Sequence, residues 1–170
     1  MTPAAANKPA VLVEVARGIA AENPDFQAVL GPGVGDRSTH AFMRRLRATA
    51  TQIFGVDYSE KKICGQTSLA VDFYFPDDQV IVEVALGLPN PASEFEKDVL
   101  KAVMAQETGY AVKRLLLISR PGGARKCSQP GRNAVIAWAK SKHDLLVEIV
   151  DLHGTPRKRA RRLRGSIASQ

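Results

Sequence analysis

Two acidic residues stand in the middle of apolar strands. In AVDFYFPDDQVIVEVALG, residues 70–87, a Pro-Asp-Asp turn separates two β-rich runs, and each run carries one carboxylate, Asp72 and Glu83. If Asp77 and Asp78 form the turn, facing residues have numbers that sum to 155. Phe75 then faces Val80, Phe73 faces Val82, Val71 faces Val84 and Leu69 faces Leu86, an apolar face that reads as core. On the other face Tyr74 meets Ile81, Ala70 meets Ala85, and Asp72 directly opposes Glu83. Opposed strand residues place their Cβ atoms about 4.5–5.5 Å apart, where two like charges destabilise the pair. A divalent cation relieves that repulsion. Magnesium takes one or two carboxylates and completes its shell with water and phosphate oxygens. The chemistry this pair suggests is therefore metal-assisted attack on a phosphodiester.

An Asp on one strand, about ten residues before Glu-x-Lys on the next, resembles the PD-(D/E)XK nuclease superfamily. VEVALG followed by EFEKDVLKAVMA looks like type II restriction endonucleases of the BglII/BamHI type, over roughly residues 55–120. The resemblance implies Asp72 and Glu83 as catalytic metal ligands, Mg2+ or Mn2+ as cofactor, double-stranded DNA as substrate, and a homodimer matched to a palindromic site. It also implies an additional acidic residue upstream, for which Glu60 is chosen over Asp57. Ala85 stands where the motif expects Lys, a position that in the BglII/BamHI branch can be Glu or Gln. The missing ammonium is sought on the next helix, where Lys97 and Lys101 share a side one turn apart, and Lys97 is the choice. Two rival readings remain: a nuclease fold that binds DNA but has lost its chemistry through Ala85, and an assembly protein that binds RNA nonspecifically.

The elements that must position these residues alternate along the chain. Apolar residues at 12, 15, 16, 19 and 20 predict a helix over 9–23, and THAFMRRLRATATQIF a second over 39–54 with Arg44, Arg45 and Arg47 on its polar side. GPGVGDRS, residues 31–38, reads as a loop, because no strand precedes it and no Gly-Lys-Ser/Thr follows. After the hairpin, a helix over about 93–108 opens on a capping box, with Ser93 as N-cap and Glu96 three residues on, and buries Phe95, Val99, Ala102 and Val103. KRLLLIS is a buried strand, GRNAVIAWAKSK a helix with Trp138 on its apolar side, and LLVEIV a last strand. Hairpin, helix, strand, helix, strand predicts an α/β fold: a single-domain PD-(D/E)XK-like core with a mixed β-sheet flanked by helices over residues 1–152.

Charge supplies the remaining clues. The 170 residues carry a net charge of +7, but RKRARRLR, residues 157–164, holds six of the basic side chains and leaves the rest nearly neutral. Residues 153–170 thus read as a basic C-terminal tail, with Arg157, Lys158, Arg159, Arg161 and Arg162 offered to a phosphate backbone. The long loop 119–132 adds Arg125, Lys126 and Arg132 as further nucleic-acid contacts. Cys64 and Cys127 lack metal or redox spacing, as do His40, His143 and His153, and no apolar run is long enough for a membrane span. With no signal-peptide pattern at the start, the expected setting is the cytoplasm.

Overall fold

The hairpin sets the sheet. In the computed structural model, which describes residues 7–23, 34–90 and 93–153, Gln79 N–H closes the Pro-Asp-Asp turn on the Pro76 carbonyl at 3.1 Å. β2 (Val71–Phe75) and β3 (Val80–Val84) then pair with Phe73 opposite Val82, Tyr74 opposite Ile81 and Phe75 opposite Val80. That is the register the turn dictates. A short edge strand, β1 (Ser59–Lys61), adds antiparallel to β2, with Ser59 opposite Phe73. On the other side β4 (Arg114–Ser119) and β5 (Leu146–Asp151) continue parallel to β3, giving a five-stranded mixed sheet in the order β1-β2-β3-β4-β5.

Parallel neighbours need crossovers, and these cover one face. α3 (Phe95–Glu107) carries the chain from β3 to β4, and α4 (Gly123–Cys127) with α5 (Pro130–His143) carries it from β4 to β5. Phe95, Val99 and Ala102 of α3 and Ala139 of α5 bury Tyr74, Ile81, Leu115 and Leu117. α1 (Lys8–Glu22) and α2 (Val34–Phe54) cover the opposite face, where Leu12, Ile19, Phe42 and Leu46 pack on Phe73, Phe75, Val82, Leu116 and Ile118. Leu115 to Ile118 therefore alternate between two cores, so β4 reads as a continuous apolar run. Among the described residues no helix is long and apolar enough to cross a membrane.

Several local expectations change. Val71 and Leu69 pack with Tyr74 in the α3 layer, whereas Phe73 lies in the α2 layer. Alternation thus breaks at Asp72. The expected loop at 31–38 is helical from Val34, and the helix runs on into the amphipathic stretch that buries Phe42 and Leu46. The capping box does not form: α3 starts at Phe95, no side chain caps it, and the Ser93 hydroxyl instead accepts from Arg132. Loop 119–132 contains α4, whose leading Gly122 and Ala124 amides both donate to the Asp151 carboxylate at 3.1 Å. Only glycine fits at position 123, since a Cβ there would lie 2.2 Å from Ser119 Oγ. Trp138 is 44% exposed, its ring edge-on to His143, because Val135, Ile136 and Ala139 supply the α5 packing face.

Candidate active site

The two carboxylates meet where the β2–β3 pairing ends. At the step after Phe73 and Val82, the Asp72 amide donates to Glu83 Oε2 at 3.3 Å, and Asp72 Oδ2 accepts from the Val84 amide at 2.8 Å. Each acid thus receives a backbone N–H from the other strand, which locks the pair. Glu83 is 2% exposed because α3 covers it, while Asp72, at the break in alternation, turns toward α2. Both line a pocket of about 420 Å³ at the carboxyl end of β3, walled by Ala85 to Leu88, Asn90, Phe95 and Asp98.

α3 supplies the ammonium. Lys101 Nζ lies 3.1 Å from Glu83 Oε1 and 3.0 Å from Asp98 Oδ1, and all three side chains are buried. Lys97, the lysine expected there, instead pairs with Glu94 at 2.9 Å on an exposed side of the helix. The physical reason is helix rotation. Phe95, Val99 and Ala102 face the sheet, and Asp98 and Lys101, three residues apart, run down one flank of that stripe, whereas Lys97 lies about 40° beyond Lys101, on the side of the helix away from the stripe. The i, i+3 Asp98–Lys101 spacing beside the apolar stripe is the sequence signal that could have found this pair.

Burial pushes the Glu83 carboxyl well above the usual carboxylate range, with the charges of Asp72 and Asp98 adding to it and Lys101 opposing. Burial likewise raises Asp98, against the pull of Lys101. For Lys101, burial favours the neutral amine, but the facing charges of Glu83 and Asp98 outweigh it and lift the group above its ordinary value. Lys101 is accordingly a fixed positive charge at neutral pH and not a base.

On the α2 side, Arg47 reaches both upstream acids: NH1 lies 2.6 Å from Glu60 Oε1 and NH2 3.6 Å from Asp72 Oδ1. Its Nε is the buried side-chain polar atom without a hydrogen-bond partner among the described residues. Glu60 has a φ of +50°, a left-handed conformation in which a non-glycine residue typically stores about 1–3 kcal/mol of strain. Glu60 therefore joins the site only through Arg47. Asp57 serves its own turn, accepting at 2.7 Å from both the amide and the hydroxyl of Ser59, which holds its carboxyl below the usual range.

The basic loop divides. Arg125 is exposed and, with the half-exposed Lys126, lines a separate polar recess beside Pro89. Arg132, expected at the nucleic-acid surface, is 8% exposed and faces inward. It donates to the Leu88 carbonyl at 2.6 Å and the Asn90 carbonyl at 3.1 Å, and to Ser93 Oγ, with its guanidinium over the Phe95 ring. The carbonyls of the β3–α3 loop converge on it, so its role is to fix the pocket wall. Arg157, Lys158, Arg159, Arg161 and Arg162 lie outside the described residues. Comparison with protein-family models, curated proteins and solved structures finds no match to this chain.

Proposed function

We propose that the chain is a metal-dependent DNA endonuclease of the PD-(D/E)XK kind, cleaving phosphodiesters by direct attack of water. The observation that carries this reading is the Lys101 ammonium, 3.1 Å from Glu83 Oε1, arriving from α3 beside the Ala85 position that lacks a lysine. The donor chemistry fits a small divalent cation: three carboxylates line the pocket, Asp72, Glu83 and Asp98, and among the described residues their ion-pair partners are Lys101 and, at 3.6 Å, Arg47, which Glu60 also holds. Among the described residues no three His, Cys, Asp or Glu side chains form a metal group of their own, so Asp72 and Glu83 would hold Mg2+ or Mn2+ with water and phosphate oxygens completing the shell. Such an ion would lower the pKa of bound water and steady charge on the scissile phosphate. Asp72 and Glu83 would hold and orient the ion, and Lys101 opposes the cost of burying charge on Glu83 while presenting positive charge to the developing phosphorane. The type II restriction reading carries with it a homodimer on double-stranded DNA, and the two buried thiols suit a reducing cytoplasm.

Supercoiled plasmid DNA tests the chemistry. With Mg2+ or Mn2+ the protein nicks or linearises it, and with chelator it does not. Asp72→Asn and Glu83→Gln each lower the rate by about 10³-fold or more while keeping the fold. Cleavage that persists in chelator, or a wild-type rate in either variant, overturns the reading. Binding without cleavage in both metals would favour the rival for which Ala85 speaks, a nuclease fold that has lost its chemistry.

The tail is testable separately. β5 runs parallel to β3, so the chain leaves Leu152 at the sheet end that carries the pocket. Removing residues 156–170 is expected to weaken DNA binding at low salt and flatten its salt dependence, by about 0.9 in logarithmic slope for each phosphate no longer neutralised. An unchanged slope separates the tail from DNA.

A further inference from the structure

The Arg47–Glu60 contact is built at a cost that its surroundings do not explain. A guanidinium committed to a carboxylate normally lies fork to fork with two bonds of about 2.7–2.9 Å. Arg47 instead stops 3.6 Å short of Asp72 Oδ1, holds Glu60 Oε1 at 2.6 Å, and leaves its Nε buried without a partner among the described residues. Glu60 keeps this grip from a left-handed backbone at φ +50° in a three-residue edge strand. Two unfavourable features thus meet at one contact, and that contact keeps a positive charge near Asp72 without letting it close. Asp72 Oδ2 is occupied by the Val84 amide at 2.8 Å, so Oδ1, the oxygen facing Arg47, is the one a cation would take.

We propose that Arg47, restrained by Glu60, competes with a divalent cation for Asp72 and so sets how tightly the site holds that cation. The proposal rests on the metal-dependent reading above and adds a role to two residues outside the pocket lining. Arg47 is a resident countercharge: it neutralises Asp72 when no metal is bound and repels a metal that arrives. Glu60 draws the guanidinium away and lowers that barrier. Both are positioning residues, acting on the metal through Asp72. The two substitutions should therefore move metal affinity in opposite directions, which loss of structural support would not do.

Calorimetric titration of the 170-residue chain with MnCl2, without nucleic acid, reads this directly. Arg47→Gln is expected to bind Mn2+ about three- to tenfold more tightly and Glu60→Gln weaker by a similar factor, the range for a half-exposed charge pair. Arg47→Met, which keeps the stem without the charge, should match Arg47→Gln if the charge is what competes. Thermal melts of each variant establish that the titrated protein is folded. Unchanged or weaker binding in both Arg47 variants, or shifts of the same sign at Arg47 and Glu60, overturns the inference while leaving the metal site standing. A wild-type chain that takes up no Mn2+ removes the metal-dependent reading and this inference together.

Discussion

Replacing Lys101 by Met is expected to lower plasmid cleavage by about three orders of magnitude, the usual cost of deleting one preorganised electrostatic group. The same change should destabilise the fold, and in a pH-dependent way. Lys101 lies between Glu83 and Asp98 with its side chain 11% exposed, and its pKa is raised, so its contribution is fully present below the ordinary lysine value of 10.5. Removing it strands two carboxyls whose pKa values burial has already raised. An acid raised in the folded state costs stability as pH climbs past its unfolded value, about 4, and costs nothing below it. Stranding a buried charge typically costs about 3 kcal/mol or more. The deficit of Lys101→Met should therefore be largest near pH 7 and shrink as pH falls toward about 4. Glu83→Gln separates chemistry from folding. It loses the same catalysis, yet at neutral pH it melts no lower than wild type, because a neutral amide replaces an acid pushed up by burial and Asp98 still holds Lys101. Thermal melts from pH 4 to 8 and plasmid assays check both halves. Cleavage by Lys101→Met within tenfold of wild type would remove the lysine from the mechanism.

The hairpin is legible in the sequence because its register is a local property. A two-residue turn fixes which residues face each other, and Phe73 opposite Val82 follows from Asp77-Asp78 alone. Which side of α3 meets the hairpin is not local. It depends on how the helix rotates to bury Phe95 and Val99, and a rotation of about 40° separates Lys101 from Lys97. Asp72 sits beside Glu83 as the register requires, but its turn toward α2 depends on the break in alternation after Val71, which no spacing announces. β1 is hidden in the sequence because Ser-Glu-Lys has no apolar alternation; pairing with β2 makes it a strand. Without β1, Glu60 can be suspected but not linked to Arg47, thirteen residues earlier on another element. Arg132 misleads for a related reason. In sequence it belongs to a run of basic residues, and only the fold shows that three oxygens of a distant loop converge on it.

That convergence gives the second large effect. Arg132→Ala should leave the carbonyls of Leu88 and Asn90 and the hydroxyl of Ser93 without their charged donor, and remove the guanidinium from the face of Phe95, 5.4 Å away. Hydrogen bonds to a charged group contribute about 1.5–3 kcal/mol each but share one side chain here, so a total loss of about 3 kcal/mol is expected. For a chain of this size that lowers the melting temperature by about 6–12 °C. Arg132→Lys should recover only part of it, since one ammonium cannot reach three acceptors splayed across the fork of a guanidinium. Leu88, Asn90, Ser93 and Phe95 wall the pocket that holds Asp72 and Glu83, so cleavage should fall with Arg132→Ala even at temperatures where the variant is folded. DNA affinity decides between the inward role and a phosphate contact. A wall-fixing arginine lowers the melting temperature on removal and leaves the salt dependence of DNA binding intact, because every phosphate keeps its countercharge. An unchanged melting temperature together with a flatter salt slope would return Arg132 to the proposed set of phosphate contacts, with Arg125 and Lys126.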